Sequence, residues 1–348
     1  MLLNAEQIAP FIAFYSMNVN FIIVGQGLAG TLLSHELIRQ GKSVLVFDDP
    51  GQPKASSVAA GLINPVVFRR MTKSRALDEA FPAMETTYHQ LEELLQEQFY
   101  FPGPIHRILG EEEVALWHEK VFAGHSGAFP KLEIDSGFRH RHVSAPFGIG
   151  TVTNAGRLDL PKLIGSFSRF LERKQHLRPE KFDFEQLHIF PGKVQYKEVS
   201  AETIIFCEGP SADMNPFFQN LKFKSSKGEL LELRIPELKL DRIISRDIFV
   251  LPFGNDRYKV GSTYSWDDLN WQTTSHAAEE LLGKLKSLIA LSPEIINHKA
   301  GIRPTMHDRN PVIGLLPDIR QVGIFNGLGS KGVLSGPWLA RQIRFYSS

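Results

Sequence analysis

The 348-residue sequence contains one cysteine, Cys207, so no intramolecular disulfide can form, which fits a reducing compartment such as the cytoplasm. No apolar run reaches the roughly 18 residues that a membrane-spanning helix needs. Excess charge is also missing. The 39 basic and 38 acidic residues give a formal net charge of +1, which supplies no general drive toward nucleic acid or an anionic membrane. The 12 histidines show no metal-ligand spacing such as H-E-x-x-H. There is no internal repeat and no low-complexity stretch. Residues 1–16 lack a basic n-region and an A-x-A cleavage site, so no signal peptide is expected. They are expected to be loosely attached ahead of Met17. What remains is a globular composition, 43% hydrophobic and 22% charged, in a chain long enough for two domains.

The stretch Phe21-Ile-Ile-Val-Gly-Gln-Gly-Leu-Ala-Gly30 organises the reading. Four apolar residues predict a strand buried on both faces. Gly25, Gly27 and Gly30 form G-x-G-x-x-G. The first allows a tight turn, the second lets the backbone approach a pyrophosphate, and the third lets the next helix lie close to the strand. Leu28 and Ala29 open that helix, expected over 28–40, and count with the glycines as cofactor-binding. A second strand over 44–47 ends in Asp48. A carboxylate there accepts the ribose hydroxyls of an adenosine and repels a 2′-phosphate. The unit as a whole points to a dinucleotide, with NAD and FAD both open at this stage.

Further along, periodicity predicts helices over 78–99, 111–121, 159–171 and 275–290. Short strands are expected over 182–189 and 192–198, and another strand of the nucleotide sheet over 203–206. Antiparallel strands are expected over 228–235, 242–252 and 258–264, then a strand over 322–325 and a last helix reaching Phe345. The fold class is α/β: a Rossmann-like nucleotide-binding domain with a second, antiparallel-sheet substrate domain.

Several motifs recur in order along residues 17–345. They are Ser56-Ser57 with Ala60-Gly61, Cys207-Glu-Gly209, Lys227-Gly-Glu229, Val260-Gly-Ser-Thr263, Gly301-Ile-Arg-Pro304 with Asp308 and Pro311-Val-Ile-Gly314, and Asn326-Gly-Leu-Gly-Ser-Lys-Gly332. Together they resemble the D-amino-acid oxidase superfamily of FAD-dependent amine oxidases. That group includes glycine and sarcosine oxidases and the oxidase domain of the bifunctional tRNA wobble-uridine enzyme. The resemblance implies noncovalent FAD, because Gly301 stands where cysteinyl-flavin relatives carry their linking cysteine. It implies an FAD domain over 17–80, 150–215 and 295–348, and a substrate domain over 81–149 and 216–294. It adds Ser56, Ser57, Ala60, Gly61, Cys207, Gly209, Gly327, Leu328, Gly329, Ser330, Lys331 and Gly332 to the cofactor-binding set. Cys207-Glu208 departs from the Ala-Ala usual at that position.

For chemistry, the resemblance places Arg303 over the flavin, where a planar guanidinium fork takes an α-carboxylate. Tyr264, with Trp266 and His307, is expected to line the pocket. Lys259 matches a position where similar proteins hold a lysine near the flavin, and a cation there would stabilise superoxide. Arg69 and Arg70 are rival partners for the carboxylate, and Asp308 is expected to hold its loop. The glycines of 327–332 bring backbone N–H groups and a helix dipole close to the ring. The reading is an oxidase or dehydrogenase of an amino acid or small amine, with hydride transfer to flavin N5 and oxygen or another acceptor closing the cycle. The alternatives are a tRNA wobble-uridine side-chain oxidase and a non-catalytic flavin-fold protein.

Overall fold

The computed structural model describes residues 17–124 and 130–343. The expected behaviour of residues 1–16, and the run of the last helix to Phe345, lie outside the described residues. Strand β1, Met17–Val24, buries Phe21 and Ile23 toward one core and Ile22 and Val24 toward another. It leads through the glycine turn into α1, Leu28–Arg39, and then β2, Val44–Phe47, which lies parallel to β1 with Phe21 opposite Val44. Next come α2, Leu77–Leu95, β3, Ile105–Ile108, α3, Glu111–Gly124, β4, Leu132–Asp135, and β5, Ile149–Val152. Helix α4, Leu160–Arg173, starts where Asp159 caps the Lys162 N–H and Pro161 sits in the first turn. Strands β6, Leu177–Arg178, β7, Leu187–Phe190, β8, Lys193–Tyr196, and β9, Val199–Phe206, follow.

The second half contains β10, Ser226–Arg234, β11, Ile243–Ser245, β12, Phe249–Pro252, and β13, Arg257–Gly261. Thr274 caps α5, Ser275–Leu288, which is followed by β14, Glu294–Arg303, β15, Val312–Leu315, β16, Val322–Asn326, and α6, Gly332–Ala340.

The first sheet runs β6-β2-β1-β9-β16 in parallel pairs. The hairpin β7–β8 joins β9 antiparallel, and β15 closes the other edge on β16. Helices α1, α2, α4 and α6 cover one face of it. The second sheet runs β14-β10-β13-β12-β11-β3-β5-β4, antiparallel except where β11 meets β3. Helix α5 packs on one of its faces. This is an α/β architecture with a Rossmann-like parallel sheet and a second, antiparallel one.

Three expectations are corrected. The helix expected to reach 99 stops at Leu95, because Gln96 turns left-handed and the Glu92 carboxylate takes the N–H groups of Phe99 and Tyr100 at 2.8 and 2.7 Å. The single strand expected over 242–252 is two strands, broken where the Arg246 N–H turns back to the Ile248 carbonyl. The segment before Arg303, to which the sequence pattern assigns no element, is a ten-residue strand paired along β10. The expected crossings at 150 and 295 fall inside β5 and β14, both strands of the second sheet.

Candidate cofactor cleft and active site

A cleft of about 850 Å³ separates the C-terminal ends of the parallel strands from the inner face of the second sheet. Its size is near the upper end of the roughly 300–1,000 Å³ usual for small-molecule sites. One end is built by the first turn. Gly25 has φ +98°, and a Cβ there would lie 2.6 Å from the Cys207 carbonyl oxygen. A Cβ on Gly30 would collide with the Gly25 carbonyl, so glycine lets α1 sit against the turn. The Leu28 N–H at the start of α1 donates to Ser56 Oγ at 3.0 Å. Asp48 ends β2. Its Oδ1 accepts from the Gln26 N–H and its Oδ2 from Lys54 Nζ, both at 2.8 Å.

The other end belongs to α6 and the loop before it. Asn326 Nδ2 donates to the Gly209 carbonyl and Asn326 Oδ1 accepts from the Gly327 N–H, both at 2.8 Å, tying this loop to the end of β9. Lys331 reaches across to the carbonyls of Asn64 and Val66 at 2.5 and 3.1 Å. No carboxylate among the described residues pairs with it, and burial alone pushes its pKa down to about 8. A cation without a counter-charge thus stands beside a helix N-terminus, and both favour an anion.

Arg303 ends β14 and lies flat across β10. A Cβ on Gly228 would occupy the space of its guanidinium, so glycine makes the crossing possible. Nη2 donates to Ser262 Oγ at 2.7 Å and to the Thr263 carbonyl at 3.3 Å, and Nη1 donates to the Lys227 carbonyl at 3.3 Å. The guanidinium centre is 4.2 Å from the Tyr264 ring centroid, and Tyr264 stacks in turn on Trp266 at 6.1 Å. Burial lowers the Arg303 pKa from its ordinary value. Both aromatic rings are 54% exposed. The loop that carries them is anchored from β10. Lys227 Nζ, 2% exposed, donates to Asp268 and Asn270, and the Glu229 carboxylate accepts from the N–H and hydroxyl of Thr274.

The cleft is lined by Gly25, Gly27, Leu28, Ala29, Asp48, Ser56, Ala60, Gly61, Cys207, Gly209, Leu328–Gly332, Tyr264 and Arg303. Four expected site residues are not on its wall. Gly30 acts behind the turn. Ser57 faces solvent and donates to the Lys54 carbonyl. Gly327 is packed behind its loop, where a Cβ would come within 2.7 Å of Met306. Lys259 lies off the wall, over the Phe253 ring and in the field of Asp159 and Glu232, and burial lowers its pKa. Arg69, Arg70, Trp266 and His307 are exposed and also off the wall. Asp308 holds Asn310 rather than Arg303. Sequence reasoning missed Lys54, Gly228 and Asn326. Gly228 and Asn326 lie inside the quoted motifs, but their roles, the space left for Arg303 and the bond to the Gly209 carbonyl, depend on segments distant in sequence, whereas Lys54 follows its partner Asp48 by six residues. No metal-binding group of acidic, histidine or cysteine side chains occurs among the described residues.

The glycine cradle at one end, the acid at the end of β2, and the backbone-rich loop at the other end suit a dinucleotide that carries a flavin. Comparison with known proteins agrees. The family of FAD dependent oxidoreductases termed DAO matches residues 20–344. The chain is 24% identical to the glycine oxidase of Bacillus licheniformis, over 91% of this chain and 89% of that protein. It is 23% identical to the bifunctional protein MnmC of Leptospira interrogans (tRNA 5-methylaminomethyl-2-thiouridine biosynthesis), over 90% of this chain but only 55% of that protein. In structure it superposes on glycine oxidase from Geobacillus kaustophilus with a TM-score of 0.79 at 18% identity, covering 95% of this chain and 97% of the other. Iminodiacetate oxidase from Chelativorans sp. BNC1 gives 0.78 at 19% identity, covering 92% and 93%. The chain belongs to the DAO family of FAD-dependent oxidoreductases, and FAD is its cofactor.

Proposed function

We propose that this enzyme oxidises the C–N bond of an amino acid or of a small amine that carries a carboxylate. The observation that carries the reading is Arg303, a half-buried cation on the cleft wall with no carboxylate partner among the described residues. The names of two relatives, glycine oxidase and iminodiacetate oxidase, support this substrate class. FAD, held noncovalently in the cleft, would supply the hydride acceptor, with oxygen or another acceptor taking up the electrons. Arg303 holds the carboxylate, Tyr264 closes over it, and the walls exclude water. The turn at Gly25–Gly30 and Asp48 receive the adenosine and diphosphate, while the Leu328–Gly332 loop and Lys331 meet the ring end. We assign the FAD domain to the first sheet and the substrate domain to the second, and the lone Cys207 is compatible with a reducing compartment. Among the described residues no helix is long and apolar enough to cross a membrane.

The test is anaerobic mixing of the yellow protein with a panel of amino acids and their decarboxylated counterparts, following the flavin band. Bleaching by the carboxylate-bearing members alone supports the reading. A flavin that none of them reduces defeats it.

A second reading, oxidation of a modified nucleoside amine, is favoured by the exposed Tyr264–Trp266 stack at the mouth, which offers a platform for a base. It requires a salt-dependent gel shift with tRNA.

A further inference from the structure

Glu208 stands at the place where a dinucleotide site has least use for a negative charge. It follows Cys207 at the end of β9, and its Cα would be 3.4 Å from a Cβ placed on Gly25. It therefore flanks the turn whose N–H groups and helix N-terminus are set to receive a diphosphate. Glu208 is one of the residues that line the cleft. Oε2 accepts from Asn215 Nδ2 at 2.7 Å, and no lysine or arginine among the described residues pairs with it. Asp48, by contrast, has its cation in Lys54.

We propose that Glu208 meets the diphosphate side of FAD as a neutral carboxylic acid, donating a hydrogen bond to it, so that the cofactor is held more loosely as pH rises. An ionised carboxylate would repel the diphosphate, whereas a protonated one supplies the donor that the site otherwise lacks at this position. Burial already favours the neutral form and pushes the Glu208 pKa up to about 7. The other ionisable groups around it are the Asp48–Lys54 pair, Asp49, Lys181, Asp213 on the turn after Gly209, and Cys207, whose thiol burial holds well above its usual pKa. Lys331 lies at the opposite end of the cleft. In sign, FAD affinity is constant while Glu208 is protonated without ligand, and falls once pH exceeds the pKa of the unliganded form.

The experiment dilutes the holoenzyme at a series of pH values and measures released flavin by fluorescence after ultrafiltration. Wild type should hold FAD evenly below about pH 6.5 and lose affinity by about tenfold per unit above about pH 7. Glu208→Gln keeps an acceptor for Asn215 and a donor for the diphosphate but cannot ionise, so this slope should vanish. Any remaining loss above about pH 8 reads Lys331 and appears equally in both proteins. Parallel profiles for wild type and E208Q would overturn the proposal. So would tighter binding by wild type at high pH, which would place an ionised Glu208 on ribose hydroxyls. The wild-type profile decides the sign even if the variant folds poorly.

Discussion

Replacing Arg303 by alanine is the sharpest test of how the cleft selects its substrate. A guanidinium has five N–H donors. Three are engaged by Ser262, Thr263 and Lys227, and both of those on Nη2 are among them. Nε and one hydrogen of Nη1 remain, and these two do not form one edge of the fork. A two-pronged carboxylate must therefore displace the long contact from Nη2 to the Thr263 carbonyl. Truncating one side of a buried, hydrogen-bonded charge pair costs about 2–5 kcal/mol, and the displaced contact moves the expectation to about 2–3 kcal/mol. At 1.4 kcal/mol per tenfold, Arg303→Ala should lower kcat/KM for a carboxylate substrate by about 30- to 150-fold. Arg303→Lys should recover no more than about tenfold, since an ammonium keeps the charge without the planar fork. The assay is steady-state turnover beside anaerobic flavin reduction, with the matched amine lacking a carboxylate as control. FAD content should not change. Unaltered kcat/KM for the carboxylate substrate would refute the reasoning, and an equal loss on the control amine would make Arg303 a structural residue.

Gly228→Ala puts a methyl group where the guanidinium lies, so KM should rise by about tenfold or more while FAD stays bound, as ultrafiltration of the yellow protein would show. Asp48→Ala removes the acceptor of the Gln26 N–H and strands Lys54. FAD retention should fall by about tenfold or more, measured by flavin release on dilution. Lys331 has its folded-state pKa lowered, so the unfolded chain binds more protons between about pH 8 and pH 10.5. FAD-free protein should therefore gain stability as pH rises through that window, and Lys331→Met should flatten the gain in a melting series. The same variant should hold the reduced flavin less well, lowering its midpoint potential in a dye-equilibration titration.

The parts legible in the sequence are those written locally. The β1–α1–β2 unit follows from four apolar residues, three glycines and one acid within a short span, and the structure reproduces it to within two residues at the helix end. Arg303 was singled out because the Gly301–Pro304 stretch is a compact motif, and it lies on the cleft wall. Lys259 was misplaced for a geometric reason. It shares a strand face with Gly261, yet it sits farther along β13, beside Glu232 on the neighbouring strand, where the sheet has moved past the cleft. Alternation gives the face and says nothing of the distance along it. The role of Gly228 was illegible because it exists only where Arg303 crosses β10, and Lys54, six residues beyond Asp48, stands in no motif that marks it. The strand β14 was hidden by its exposed first half, which leaves no apolar period to read.

The anchoring of the Tyr264–Trp266 loop separates what must stay from what is free to vary. Its restraints, Lys227 and Glu229, belong to the sheet. Their side chains grip the loop at Asp268, Asn270 and Thr274, and their backbone groups pair with Ser265 and Thr263 at its tip. The Tyr264 and Trp266 rings take no part in that grip, which at the tip runs through backbone and the Thr263 hydroxyl. Exchanging Trp266 would re-cut the doorway of the cleft while the backbone pairing that carries the loop stays in place, whereas exchanging Tyr264 would also uncover Arg303.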